Sequence, residues 1–240
     1  AATETGGTVS ESTPGNSVAC ATESPVYFSI VTTQSDIDFE REKSAREDIK
    51  EGIPIRHFSD AYLETLAVYR KIADHLLSRD TLLFHGSVIA VDGEGYLFTA
   101  KSGTGKSTHT RLWREYFGER AVMVNDDKPL LHITDSGVTA YGTPWDGKHR
   151  LSTNTAVPLK GICVLTRDTT NHIEQAEPHD TYPMIVQQTN RSLTADGMKQ
   201  TLSLIDRIVP VYRLGCNMDI EAARVAYEGM NRLKNRRKDT

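Results

Sequence analysis

The sequence predicts an α/β fold built on a mixed, hairpin-rich sheet with flanking helices. Three observations lead there. Two pairs of apolar runs are joined by tight polar turns: Val88–Val91 with Tyr96–Thr99 across Asp92-Gly93-Glu94-Gly95, and Leu130–Thr134 with Val138–Tyr141 across Asp135-Ser136-Gly137. Long segments before and after them repeat apolar residues at helical spacing. Between the hairpins a short apolar strand runs into a glycine-rich turn and then a helix, a unit more often found in parallel sheets with helices between the strands. Hairpins and a strand–turn–helix unit in one chain require a mixed sheet.

The elements follow in order. Residues 1–24 are rich in Ser, Thr, Gly and Glu, with turn chemistry at Pro14-Gly15-Asn16, and read as a flexible arm. Val26–Val31 is expected as a strand. Residues 34–51 carry dense mixed charge and read as a partly helical surface segment. Ser59 is an N-cap for a long helix whose core face is Tyr62, Leu63, Leu66, Tyr69, Ile72, Ala73, Leu76 and Leu77. Leu82–His85 is a strand before the first hairpin. Ser107–Phe117 is a helix closed by Gly118. Ala121–Asn125 is a buried strand ending at Asp126-Asp127. Leu159–Thr166 is another strand, Tyr182–Thr189 and Thr194–Ile208 are helices, and Val209–Leu214 is a strand whose Pro210 marks an edge or a start. Asp219 caps a last helix through Leu233. Residues 25–233 are taken as a single domain, followed by a basic tail at 234–240.

Composition narrows the function. Basic residues number 28 and acidic ones 32, for a net charge of −4; this gives no reason to expect nucleic acid as a partner. No run reaches the about 18 apolar residues of a membrane span, so no membrane partner is expected. Cys20, Cys163 and Cys216 match no zinc spacing. Cys163 sits in the run Ile162–Leu165 and reads as a buried structural thiol. A reducing, cytoplasmic setting is the expectation.

The chemistry concentrates in Ala100-Lys101-Ser102-Gly103-Thr104-Gly105-Lys106-Ser107-Thr108, a phosphate-binding loop of the Walker A type with Ala at its first position. Gly103 and Gly105 let backbone N–H groups turn inward on phosphate oxygens, Lys106 supplies a point charge, Ser107 a hydroxyl for Mg²⁺, and the helix its positive end. Ser102, Thr104 and Thr108 complete the nucleotide contacts. Asp126 and Asp127 stand at a strand's carboxyl end, where open α/β sheets bind ligands. One carboxylate can hold Mg²⁺ and another orient an acceptor hydroxyl, provided the chain turns there, which Pro129 favours; the alternative is a solvated acidic turn. The loop Gly142–Arg150, with Trp145, Asp146, Lys148 and His149, is read either as a packed turn or as part of the site.

Phe84-His85-Gly86-Ser87, the Ser102–Ser107 loop and Val124-Asn125-Asp126-Asp127 together resemble the HPr serine kinase family, grouped with the ATP-dependent phosphoenolpyruvate carboxykinases, over roughly residues 82–165. That family shows a His before the hairpin, a Ser-Gly-x-Gly-Lys-Ser loop and a paired Asp after the next strand. The resemblance implies the carboxykinase-like P-loop fold, ATP and Mg²⁺ as cofactors, and transfer to a serine hydroxyl, with reverse phosphorolysis in some members. Carried over, Lys106 binds phosphate, Ser107 and one of Asp126 and Asp127 hold the metal, the other Asp is the base, and His85 sits by the transferred group. The Glu-Ile-Arg-Gly-Leu-Gly segment of HPr kinases is absent, and Gly142–Gly147 stands roughly where it is expected. This is the pattern of HPr-kinase-like proteins outside sugar transport, including kinases of precursor peptides, so the acceptor implied is Ser on a peptide or protein. A small-molecule hydroxyl acceptor and a non-catalytic nucleotide-binding regulator are the other readings, and the oligomeric state stays open, a homo-oligomer included.

Overall fold

The computed structural model describes residues 28–101, 103–147 and 149–235, with side chains as far as residue 232. The chain divides into Ala1–Ile30 and Val31–Thr240, and the architecture below is that of the second unit. The expected arm at 1–24 and Cys20 lie outside the described residues, as do residues 236–240 of the expected tail. The expected strand at Val26–Val31 is corrected in part: Phe28–Val31 forms no strand, and Val26 and Tyr27 lie outside the described residues. A β-prone run needs a ladder partner. Instead the Val31 carbonyl accepts a hydrogen bond from Lys71 Nζ (2.8 Å).

Two helices come first, α1 (Gln34–Glu51) and α2 (Asp60–Leu77). The charged stretch read as partly helical is thus an 18-residue helix. Its start is a capping box: Thr33 N–H donates to Asp36 (3.0 Å), and the Thr33 side chain takes the N3 backbone amide. Gly52 ends it in the left-handed region (φ 70°). Such a polar helix stays folded because its charges are partnered on α2. Arg70 pairs with the buried Glu40, and Lys71 with Asp36 (2.6 Å). Ser59 caps α2 through Tyr62 N–H (3.3 Å), and Leu63, Ala67, Ala73 and Leu77 form its buried stripe. Tyr62, expected on that stripe, is exposed.

The strands are β1 (Thr81–Leu83), β2 (Ser87–Val91), β3 (Glu94–Thr99), β4 (Ala121–Asn125), β5 (Leu130–Thr134), β6 (Gly137–Tyr141), β7 (Ala156–Arg167), β8 (His172–Gln175) and β9 (Val211–Cys216). They pair in the order β1-β5-β6-β7-β3-β2-β4, with β9 beside β7 and β8 beside β9. Both expected hairpins form. The β2–β3 turn places Asp92 and Gly93 at φ 53° and 82°, the geometry for which Asp-Gly is suited. β3–β7 and β7–β9 are parallel, so the sheet is mixed. β8 carries no apolar run and was not expected. Pro210 marks a strand start rather than an edge, because β9 is paired on both sides.

Alternate side chains along β2, β3 and β7 enter two cores. Val88, Leu97 and Ile162 join Leu131, Val138, Ile185 and Leu204, beneath β5, β6, α4 (Pro178–Gln188) and α5 (Ala195–Ile205). Ile89, Phe98 and Cys163 face Trp113, Phe117, Ala223 and Met230 of α3 (Lys106–Phe117) and α6 (Glu221–Asn235). Cys163 is a fully buried free thiol, as expected. Because β2 is antiparallel to both β3 and β4, the ends of β3 and β4 and the start of β2 lie at one edge, with Ser87 opposite Phe98 and Val88 opposite Asn125. That edge gathers His85, the glycine-rich loop and the Asp pair.

Truncating Arg70 to Ala leaves Glu40 buried without its main partner. Chemical denaturation should show a loss of about 3 kcal/mol, in the range for breaking a buried pair; an unchanged midpoint would mean that α1 is held on α2 by other contacts.

Candidate active site

The turn from β3 into α3 carries the glycine-rich loop. Gly103 and Gly105 adopt φ 76° and 126°, conformations that L side chains rarely take. Lys101 O accepts from Thr104 N–H (3.2 Å), and Arg167 Nη2 donates to Gly103 O (2.7 Å), tying the loop to the end of β7. Lys106 is half-buried and its Nζ donates to Ala100 O (3.3 Å). Ser107 and Thr108 lie in the first turn of α3, Ser107 exposed. Ser102 and Lys148 lie outside the described residues.

Across the same edge, the chain does turn after β4, and Asn125 is the reason. Its fully buried Oδ1 accepts from the N–H groups of Asp127 (2.9 Å) and Lys128 (2.6 Å), an Asx-type turn. Its Nδ2 donates to Thr143 O (3.2 Å), Thr143 Oγ1 (3.0 Å) and Ser152 Oγ (3.0 Å). One side chain thereby fixes both the Asp turn and the loop that begins at Gly142. The Phe84–Ser87 segment is stitched to the same turn: Gly86 N–H donates to Asp127 O (3.0 Å) and Ser87 Oγ to Asp126 O (3.0 Å).

The two aspartates separate. Asp126 is buried, and its Oδ1 accepts from Gly147 N–H (2.6 Å). A Cβ on Gly147 would meet Asp126 Oδ2 at 2.9 Å, so any larger residue there has to displace the Asp126 carboxylate. Asp127 instead meets His85 Nε2 (3.3 Å) and Lys128 Nζ (3.0 Å). Burial raises the Asp127 carboxyl, but the hydrogen bond from His85 and the charge and hydrogen bond of Lys128 outweigh it and hold it at about 2. For His85 the hydrogen bond to Asp127 favours the proton; burial and the charges of Lys128 and Lys106 oppose it, and the net direction is down. The neutral ring is thus favoured, with Nε2 facing Asp127 Oδ1. Burial also lowers Lys106, against the pull of Asp127. One carboxylate is thus surrounded by His85, Lys106 and Lys128.

The loop at Gly142–Arg150 returns beside this cluster. With α2 it walls a cavity of about 560 Å³ that Asp127 and Lys128 also line. Trp145 packs edge-on against Tyr69 of α2, ring centroids 5.7 Å apart. Two further cavities, of about 530 and 520 Å³, adjoin Gly103 and Thr104 on the side of Arg167. Among the described residues no group of three or more His, Cys, Asp or Glu side chains is placed to hold a metal ion, and no helix is long and apolar enough to cross a membrane. Lys128 escaped the sequence reading, and Asn125 and Tyr69 were named there, as a strand end within the quoted motif and as a core-face residue, without a role at the site. The signal for Asn125 was an Asn directly before a turn at a strand end.

No family model and no curated protein matches the chain. Among solved structures, the HPr(Ser) kinase/phosphatase from Coxiella burnetii matches at 13% identity, over 65% of this chain and 94% of that one, with a TM-score of 0.38.

Two outcomes follow from the geometry. Asn125→Ala strands the buried amides of the turn and should cost about 2–3 kcal/mol in denaturant titration; a wild-type midpoint would show that the turn holds itself. Asp127 has a folded-state pKa depressed from 3.8 to about 2. Its stabilisation is therefore present above the unfolded value and is lost as pH falls through the folded one. The stability gap between wild type and Asp127→Asn should close over that acid window; a gap independent of pH would contradict the charge cluster.

Proposed function

We infer that the chain is an ATP- and Mg²⁺-dependent kinase that transfers the γ-phosphoryl group to a hydroxyl, most simply that of Ser on a peptide or protein. The observation that carries this reading is one sheet edge that presents a glycine-rich helix start with Lys106 and, opposite it, an ionised Asp127 among basic groups. A helix N-terminus and a lysine suit the phosphates, and a carboxylate at the same edge suits the acceptor hydroxyl. The sequence resemblance to HPr-kinase-like proteins, with their carboxykinase-like P-loop fold, points the same way.

The roles follow from the chemistry of each group. Amides of the 103–105 turn and Lys106 bind and orient the phosphates. Ser107 is exposed at the loop's end and Asp127 stays ionised far below neutral pH, both suited to a hard cation; Ser107 with Asp127 or Asp126 would hold Mg²⁺, which supplies charge neutralisation between phosphate oxygens when bound. In the transfer, the acceptor oxygen bonds to the γ-phosphorus as the bond to the β,γ-bridging oxygen breaks, ADP leaves, and the acceptor proton passes to the Asp127 carboxylate. A carboxylate held at about 2 is a weak base. It serves here because the loose transition state of phosphoryl transfer asks chiefly for an oriented hydroxyl. His85 Nε2, 3.3 Å away, helps to position that carboxylate. Asp126 keeps the Gly142–Arg150 loop in place.

With γ-labelled ATP, wild type should release or transfer label in a chelator-sensitive manner. Lys106→Ala should lower turnover by about a hundredfold or more, the scale for removing one preorganised charge contact, with an unchanged circular dichroism spectrum. Equal turnover in the two proteins, or turnover indifferent to chelator, would overturn the assignment.

A further inference from the structure

Phosphoryl transfer needs a second substrate, and the group that touches it on the protein side is Asp127. The glycine-rich loop contributes nothing to the 560 Å³ cavity that Asp127 lines, whose other walls are α2 and the Gly142–Arg150 loop. This volume is that of a small-ligand site. Three features of its wall point to an occupant. Asp146 Oδ1 is a buried acceptor without a hydrogen-bond partner, a costly state that a ligand donor relieves. Arg150 is exposed, and it adopts φ 50°, where a non-glycine residue is uncommon and strained. Among the described residues it makes no ion pair. Tyr62 and Tyr69 of α2, with Trp145 opposite, supply apolar faces with polar rims.

We propose that this cavity is the acceptor site, and that it takes a short acidic peptide segment around a serine or threonine. Asp127, Asp146 and Arg150, all lining the cavity, match the three kinds of polar group in such a segment. The hydroxyl reaches Asp127, a backbone N–H donates to Asp146 Oδ1, and a neighbouring carboxylate pairs with the Arg150 guanidinium, which suits planar bidentate partners. Lys128 is occupied by Asp127 (3.0 Å), so among the described residues that line the cavity Arg150 is the cation left to select the acceptor. On this view α2 is a specificity wall, locked to the loop through Tyr69 and Trp145. The proposal rests on the kinase reading above and adds the class of acceptor.

The test compares two synthetic peptides with a central Ser, one flanked by Asp and Glu and the other by Asn and Gln. Transfer from γ-labelled ATP is measured for wild type and for Arg150→Asn; Asn tolerates a positive φ, so this variant removes the charge and keeps the backbone. Wild type should favour the acidic peptide in kcat/KM by about tenfold or more, the weight of one charge-assisted hydrogen bond. Arg150→Asn should collapse that ratio towards unity, through KM. A ratio the variant leaves unchanged, or no preference in wild type, overturns the proposal. ATP binding is measured separately by calorimetry with a non-hydrolysable analogue. If the analogue binds while neither peptide is phosphorylated, the acceptor proposal fails and the nucleotide site stands. If the analogue does not bind, the kinase reading itself has failed.

Discussion

The Asn125 side chain is the constraint on which the rest of the site depends. It has one buried acceptor and one buried donor group, and it spends both on backbone geometry. The acceptor closes the turn that separates Asp126 from Asp127. The donor holds Thr143 and Ser152, the two ends of the neighbouring loop. Without such a turn, adjacent side chains on an extended strand point to opposite faces. With it, Asp126 points back to clamp Gly147, and Asp127 joins His85 and Lys128 at the open edge.

What the turn creates is a small electrostatic balance. Among the described residues Asp127 is the carboxylate that pairs directly with His85 and Lys128, and the charge of Lys106 is felt at the same place. Burial alone would raise that carboxyl; the hydrogen bonds of His85 and Lys128 and the charge of Lys128 bring it down. Burial and neighbouring positive charge also lower His85 towards the neutral ring, which faces Asp127 at 3.3 Å. An excess of basic groups facing a helix N-terminus is a setting made for a polyanion. This is the physical ground of the proposed kinase, and of the division of labour between a phosphate side and an acceptor side.

Much of this was legible in the sequence, for specific reasons. The hairpins announced themselves by turn chemistry at Asp92-Gly93 and Asp135-Ser136-Gly137, and the glycine-rich loop by its glycines at positions that turn out to need positive φ. Strand β4 was visible through its apolar run, although Val122 is exposed, and β7 through Ile162–Leu165, buried on both faces. Other parts were silent because their stabilisation is pairwise. α1 has almost no apolar stripe, and its partners Arg70 and Lys71 lie some thirty residues on. β8 is polar and forms because β9 offers an edge. The Gly142–Arg150 loop was placed near the Asp pair by topology, but its clamp by Asp126 and its contact with Tyr69 are tertiary facts. Nothing in local spacing distinguished Asp126 from Asp127; their different partners did.

The central claim is that the nucleotide's transferable phosphoryl group lies between Lys106 and Asp127. A crystal structure with Mg²⁺ and a non-hydrolysable ATP analogue tests it most directly, through the distance from the γ-phosphorus to the Asp127 carboxylate. The account predicts about 4–6 Å, room for one acceptor oxygen or one metal ion between them. It also predicts Lys106 Nζ moved from Ala100 O onto the phosphate. A γ-phosphorus more than about 10 Å from Asp127, too far for a reacting oxygen to bridge, or an analogue seated away from the 103–107 turn, would contradict it.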